Sequence, residues 1–261
     1  MRTDKDIVEH NRRAWDELVR QGNPWTVPVG KELIDAARSG RPAIYLTEKR
    51  PVPLDWFPPL TGADILCLAS GGGQQGPLMA AAGAHVTVFD NSPQQLARDL
   101  AVAEREHLTL QTVLGDMKDL SALEDGQFDL ILHPVSNNFV PDILVVWREA
   151  FRVLRDGGDL IAGMVNPVEY TFDPEKEQQG IYTVKHALPY SDLLSISEEE
   201  RIRFFGEHEP LEFSHTLETQ LGGQIAAGFV LTGFYEDYRR DEKIAEYMPS
   251  YFVTRAHKRV P

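Results

Sequence analysis

Ser70, Gly71, Gly72 and Gly73 follow an apolar run of strand length, Ile65 to Ala69, and Gly76 lies three residues beyond them. Gly71, Gly73 and Gly76 satisfy G-x-G-x-x-G, and Asp90 stands nineteen residues past Gly71, closing a second apolar run, His85 to Phe89. Consecutive glycines remove the side chains that keep a ligand off the backbone, and a helix beginning near Gln74 would aim free N–H groups at that ligand. An acid at the next strand tip would accept hydrogen bonds from the two hydroxyls of a ribose. The chemistry implied is the holding of a nucleoside-containing cofactor. The spacing alone leaves open which one.

The elements that must position these groups are legible around them. Gln74 to Ala82 has the composition of a short helix, and Ser92-Pro93-Gln94-Gln95 starts another, with Ser as N-cap and Pro at the first helical position. Leu96, Leu100 and Ala103 mark its buried side. Leu108 to Leu114 reads as a third strand, ending in Gly115-Asp116-Met117, and Phe128 to Val135 as a fourth, ending at His133-Pro134 with Ser136-Asn137-Asn138 beyond. The fourth is almost continuously apolar, as in a strand covered by helices on both faces. Ile143 to Leu154 reads as a helix stopped at Asp156-Gly157-Gly158, and Asp159 to Val165 as a fifth strand. Strand and helix alternating in this way predict a parallel, doubly wound α/β sheet with ligands at the carboxyl ends of its strands.

In sequence order, ILCLASGGG, VTVFDNS, GDM, FDLILHPVSN and LRDGGDLIAG resemble the class I S-adenosylmethionine-dependent methyltransferases, small-molecule branch, over about Asp64 to Asn166. The resemblance implies a Rossmann-like sheet, mostly parallel with an antiparallel last strand, and S-adenosyl-L-methionine as cofactor with S-adenosyl-L-homocysteine as product. It implies that Gly71 and Gly73 line the methionine part, that Asp90 holds the ribose, and that Asp116 and the Met117 backbone read adenine. The backbone near Ala69 and His133 would face the methionine amino group. The family commonly carries an acid where Cys67 stands and glycine where Ala69 stands, so Ser70, Gln74 or the Asn137 region would have to help hold the ammonium. With Asn91 beside Asp90, the expected cofactor set is Ala69, Ser70, Gly71, Gly73, Gln74, Asp90, Asn91, Asp116, Met117 and His133.

Methyl transfer from a sulfonium needs an acceptor held in line and water excluded, and a base only where the acceptor must lose a proton. His133, at a strand tip, is the candidate base. Trp15, Tyr45, Asn137, Asn138 and His215 are the candidate acceptor-binding residues. The acceptor, a small molecule methylated on O, N, S or C, is not identified by the sequence. Two other readings stay open: an NAD(P)-dependent oxidoreductase, and a non-catalytic nucleoside-cofactor-binding protein.

Outside the core, residues 1–60 are expected to form an N-terminal helix, capped by Thr3 and Asp6 with Ile7, Ala14, Trp15 and Leu18 on one stripe, and a Pro/Trp-rich cap. Residues 167–210, where acids outnumber bases more than two to one, read as a substrate-side insertion after the fifth strand. Within it, Tyr182 to Leu188 is expected as a strand and Ser197 to Phe205 as a capped helix. Residues 61–166 and 211–261 then form the core, with a possible strand at Leu211 to Leu217, a helix at Glu218 to Ala227, and strands at Phe229 to Tyr235 and Tyr251 to Ala256.

Forty acids against 26 bases give a net charge of −14, which repels phosphate backbones and argues against a nucleic-acid substrate. The single cysteine, Cys67, excludes an internal disulfide and a thiolate metal site. No His/Asp/Glu cluster has metal-ligand spacing, no G-x-S-x-G elbow is present, and no apolar run is long enough to span a bilayer. The expectation is a cytoplasmic monomer or homodimer without metal or membrane partner.

Overall fold

The computed structural model describes residues 3–260. Met1, Arg2 and Pro261, the extreme ends of the expected cap and core segments, lie outside the described residues. Helix α1, Asp4–Gln21, is closed in front by the expected capping box, Thr3 with Asp6, and behind by Gly22 in the left-handed region. It buries Ile7, Ala14 and Leu18. The Pro/Trp-rich stretch that follows holds one short α-helix, α2, Lys31–Arg38, between two single 3-10 turns, Pro24–Thr26 and Leu54–Trp56.

The core then runs β1 (Asp64–Leu68), α3 (Gln75–Ala81), β2 (His85–Asp90), α4 (Pro93–Glu106), β3 (Gln111–Leu114), β4 (Phe128–His133), α5 (Ile143–Val153) and β5 (Leu154–Val165). After α6 (Pro174–Glu177), α7 (Glu198–Phe204) and α8 (Gly223–Ala227), the chain closes with β6 (Phe229–Asp237) and β7 (Tyr251–Lys258). The sheet order is β3-β2-β1-β4-β5-β7-β6. β1 to β5 pair in parallel, and β7 enters antiparallel between β5 and β6. This is the Rossmann-like sheet expected from the motifs. Its direction of winding reverses between β1 and β4, where ligands bind in doubly wound sheets.

Side-chain alternation along β1 shows why the sheet is covered on both faces. Leu66 and Leu68 pack with Ile143, Val146 and Trp147 of α5 on one face; Ile65 and Cys67 pack with Ile34 of α2, Met79 of α3 and Val102 of α4 on the other. Cys67 is thus a small apolar core residue, and burial pushes its thiol well above the usual range.

Several boundaries differ from expectation for local reasons. β4 stops at His133 because Pro134 has no N–H to give to the ladder. β5 pairs from Leu154 onward, earlier than its glycine turn suggests. Leu154 pairs with Phe128 but Asp159 with Leu130, so Arg155 to Gly158 bulges out within the strand. Arg155 in that bulge binds Asp129 and Asp64, each at 2.7 Å. The strands expected at Tyr182 to Leu188 and Leu211 to Leu217 do not form. Each segment makes only a single bridge, Phe172 to Val184 and Ser191 to Phe213, because no second strand lies alongside to carry a ladder. The helix expected over Glu218 to Ala227 opens with a wide turn, Glu218–Gly222, before α8.

Candidate active site

At the carboxyl ends of β1 to β5 lies a cavity of about 640 Å³. Its walls include Ala69, Ser70, Gly71, Gln74, Asp90, Asn91, Asp116 and Met117, eight of the ten residues expected to hold the cofactor. Trp15, Tyr45 and Asn138 line it as well. Gly73, His133, Asn137 and His215 do not.

The glycine turn is shaped by what presses on it. A Cβ on Gly71 would stand 2.6 Å from Gln95 Cβ and 3.0 Å from Asp90 Oδ2, so any side chain there would crowd the carboxylate. Gly71 N–H donates to Asp90 Oδ2 and Ser92 N–H to Oδ1, each at 2.8 Å. These two bonds fix the carboxylate plane and leave each oxygen a second lone pair, which suits a vicinal diol. Burial pushes the Asp90 carboxyl up to about 6, against the pull of its backbone hydrogen bonds. The hollow beside it continues over Phe89, Gly115, Asp116 and Met117, an apolar slot with one carboxylate at its edge. Glycine turn, diol-ready carboxylate and slot fit an adenosine moiety.

Ala69, where β1 meets this turn, has φ of +47°. That left-handed conformation is one L side chains enter at a cost, which gives a physical reason for the family's usual glycine at this place. Its N–H still donates to Phe89 O at 2.7 Å, tying the tip of β1 to β2.

The reading of His133 as an acceptor-facing base is corrected by its surroundings. The ring is fully buried, its Nδ1 bonds Leu68 O at 2.9 Å, and its Nε2 lies 2.6 Å from the Asn137 side-chain amide. Burial lowers its pKa, so the ring is neutral. With Nδ1–H given to Leu68, Nε2 is an acceptor, and a half turn of the Asn137 amide would bring its NH2, otherwise without a partner, onto that nitrogen. His133 therefore ties the end of β1 to the turn after β4. His215 is likewise occupied, with Nε2 3.0 Å from both Asn137 O and Val140 O. Gly73 is not on the cavity wall, and a Cβ there would press on Pro28, Val102 and the Arg98 carbonyl.

Sequence reasoning missed Asp99. It is fully buried on α4, and its Oδ2 accepts Gly72 N–H at 3.0 Å while Oδ1 has no partner. Burial, with Asp90 nearby, pushes its carboxyl up to about 8. The available signal was a lone acid between Leu96 and Val102 on the apolar side of α4. The other omission is the far end of the cavity. Glu169, Tyr170, His186, Tyr190, Asp192 and Glu212 line it, and so do Arg239 and Tyr251. These side chains are scattered over four irregular segments and two strand ends, and no spacing links them.

α1 lies over the cofactor end. Arg12 Nε donates to Asn91 O at 3.1 Å, Asn91 Nδ2 to Val8 O at 2.9 Å, and Ser92 Oγ to Asp16 Oδ1 at 2.6 Å. Trp15 packs edge-on to Phe139, ring centroids 5.2 Å apart, and both rings line the cavity.

A parallel sheet with the antiparallel seventh strand, bearing this glycine turn and carboxylate at its switch point, defines the class of protein. The family model for a methyltransferase domain matches residues 66–162. A Bacillus subtilis protein named uncharacterized methyltransferase YbaJ is 51% identical over 97% of this chain and 98% of its own. The chain belongs to the S-adenosylmethionine-dependent methyltransferases, and no finding supports the oxidoreductase alternative. Among solved structures, an S-adenosylmethionine-dependent methyltransferase from Mesorhizobium loti shares the fold with TM-score 0.60 and 19% identity, covering 77% of this chain and 94% of its own. The Burkholderia thailandensis 1,6-didemethyltoxoflavin-N1-methyltransferase, solved with S-adenosylhomocysteine, has TM-score 0.60 and 14% identity over 100% of this chain and 92% of its own. Among the described residues no helix is long and apolar enough to cross a membrane, and no His/Cys/Asp/Glu group is arranged for a metal ion.

Proposed function

We propose that this methyltransferase acts on a small molecule, bound at the end of the cavity walled by residues 169–212. The observation that carries the proposal is the continuity of one cavity from the glycine turn and Asp90 to Tyr170, Tyr190 and Glu212. A cavity walled by α1 and the segment after β5 has room for a compact acceptor beside the donor.

In this reading Asp90 holds the ribose hydroxyls, Asp116 and Met117 the adenine, and Ala69, Ser70, Gly71 and Gln74 the methionine portion, with Asn91 fixing α1 over the site. When bound, S-adenosylmethionine supplies an electrophilic methyl group on a positively charged sulfur. The protein's contribution is then positioning and exclusion of water. Asp99 holds the glycine turn from below through Gly72 N–H. His133 fixes the relative placement of Leu68 and Asn137 and does not itself meet the acceptor. Tyr45, Trp15 and Asn138 wall the passage between donor and acceptor.

The test is transfer from methyl-labelled S-adenosylmethionine into a filtered bacterial extract, compared with the macromolecular fraction of the same extract. Label in the small-molecule fraction is expected. Label confined to protein or nucleic acid would overturn the reading.

A further inference from the structure

The far end of the cavity has a chemical bias that its fold does not require. Among the described residues, five carboxylates line that end, Glu169, Glu177, Asp192, Glu209 and Glu212, and one guanidinium, Arg239. Arg239 is already committed: its Nε donates to Glu169 Oε2 at 2.8 Å, its Nη1 lies 3.3 Å from Glu242, and it sits over the Tyr251 ring. Arg201, behind Asp192, gives its Nη1 to the Gly206 carbonyl at 3.1 Å. Tyr170 donates to Glu212 Oε2 at 2.6 Å and Tyr190 to Asp192 Oδ1 at 2.8 Å, so both phenolic protons are spent.

The unpartnered atoms on this wall point the same way. Asn138, 6% exposed, has no partner for Oδ1, its amide N–H being given to Glu212. Glu169, with its side chain 7% exposed, has none for Oε1. His186 has none for Nε2. Burial lowers the His186 pKa, with Lys185 adding to the fall, which favours a neutral ring, and a neutral imidazole carries one acceptor nitrogen. Asn138 Oδ1 and Glu169 Oε1 are acceptors waiting for a donor, and His186 Nε2 is one in the tautomer that carries its proton on Nδ1. Leaving such atoms buried and unmade is costly, and a ligand that brings N–H groups removes the cost. The stacked rings of Tyr170 and Tyr190, 5.6 Å apart, add the π faces that a cation favours.

We propose that the acceptor carries a basic, N–H-bearing nitrogen group, an amine or amidine, recognised by Asn138 Oδ1, Glu169 Oε1, His186 Nε2 and the Glu212 and Asp192 carboxylates. This rests on the small-molecule reading above. It assigns recognition by the nitrogen group and leaves the methylated atom a separate matter. Burial raises the Glu212, Asp192 and Glu177 carboxyls, with Glu169 adding to the rise at Glu177, although Arg239 and Arg201 pull the other way.

The test is equilibrium binding of three matched probes, 2-phenylethylamine, 2-phenylethanol and 3-phenylpropionate, to protein saturated with S-adenosylhomocysteine. The amine is expected to bind about tenfold or more tighter than the alcohol, with the propionate weakest. Glu212→Gln is expected to narrow the amine's advantage severalfold while the S-adenosylhomocysteine affinity stays unchanged. Alcohol or propionate binding as tightly as the amine, or no amine binding, would overturn the inference while leaving the methyltransferase reading intact. Failure of S-adenosylhomocysteine itself to bind would sink both.

Discussion

The two ends of the cavity are built from different materials. The nucleoside end is made of backbone and strand tips: Gly71 N–H and Ser92 N–H fix Asp90, and Gly72 N–H is fixed by Asp99. The end proposed for the acceptor is made of side chains from irregular chain, Tyr170 to Glu212 and Tyr190 to Asp192, held by pairwise hydrogen bonds and not by a sheet. A site built on a regular sheet leaves little freedom in which residue types can serve. A site built on loops can be refilled one side chain at a time, so the same donor is retained while acceptors change.

That contrast can be sharpened by loading each end separately. The largest effect is expected at Asp99. Its carboxyl is raised in the folded protein, so the native state binds its proton more tightly than the unfolded chain does. The associated stability is complete below the unfolded value near 4 and is lost as pH rises towards about 8. Asp99→Asn, which keeps an oxygen for Gly72 N–H, is expected to remove roughly 3 kcal/mol of the fall in unfolding free energy between pH 5 and 8. Denaturant melts across that range check it; an unaltered pH slope would show that Asp99 does not titrate there.

A second effect belongs to the donor alone. In the proposed site Asp90 must be ionised to accept both ribose hydroxyls, and burial pushes its carboxyl up to about 6. Affinity for S-adenosylhomocysteine is expected to be level above pH 7 and to fall below pH 6 by up to about tenfold per unit, as binding must expel the proton. Calorimetry at constant ionic strength reads it. The smallest effect is expected at Ala69, whose φ of +47° favours glycine. Ala69→Gly should raise stability by up to about 1 kcal/mol with cofactor affinity retained, because its N–H bond to Phe89 O survives.

The sequence's legibility divides along the same line. Asp90 and Gly71 were recognisable because a strand, a tight turn and a helix force them to fixed spacings. The antiparallel β7 was expected from family resemblance, and the ladders of β7 with β5 and β6 bear it out. The segments at Tyr182 and Leu211 have the apolar alternation of strands but no neighbour to pair with, and sequence alone carries no sign of an absent partner. His133 at a strand tip gave no hint that Leu68 O and Asn137 occupy its ring, since those contacts depend on a parallel neighbour and a turn. The acceptor wall, gathered from residues 138 to 251, has no sequence pattern at all.

The central claim is that Asp90, held by two backbone N–H groups at the tip of β2, grips the ribose of S-adenosylmethionine. Isothermal titration of the protein and its Asp90→Ala variant with S-adenosylhomocysteine tests it most directly. Micromolar binding is expected for the former and a loss of about a hundredfold or more for the latter, two hydrogen bonds to a charged group being removed. Undiminished affinity in Asp90→Ala, with the variant folded, would contradict the account.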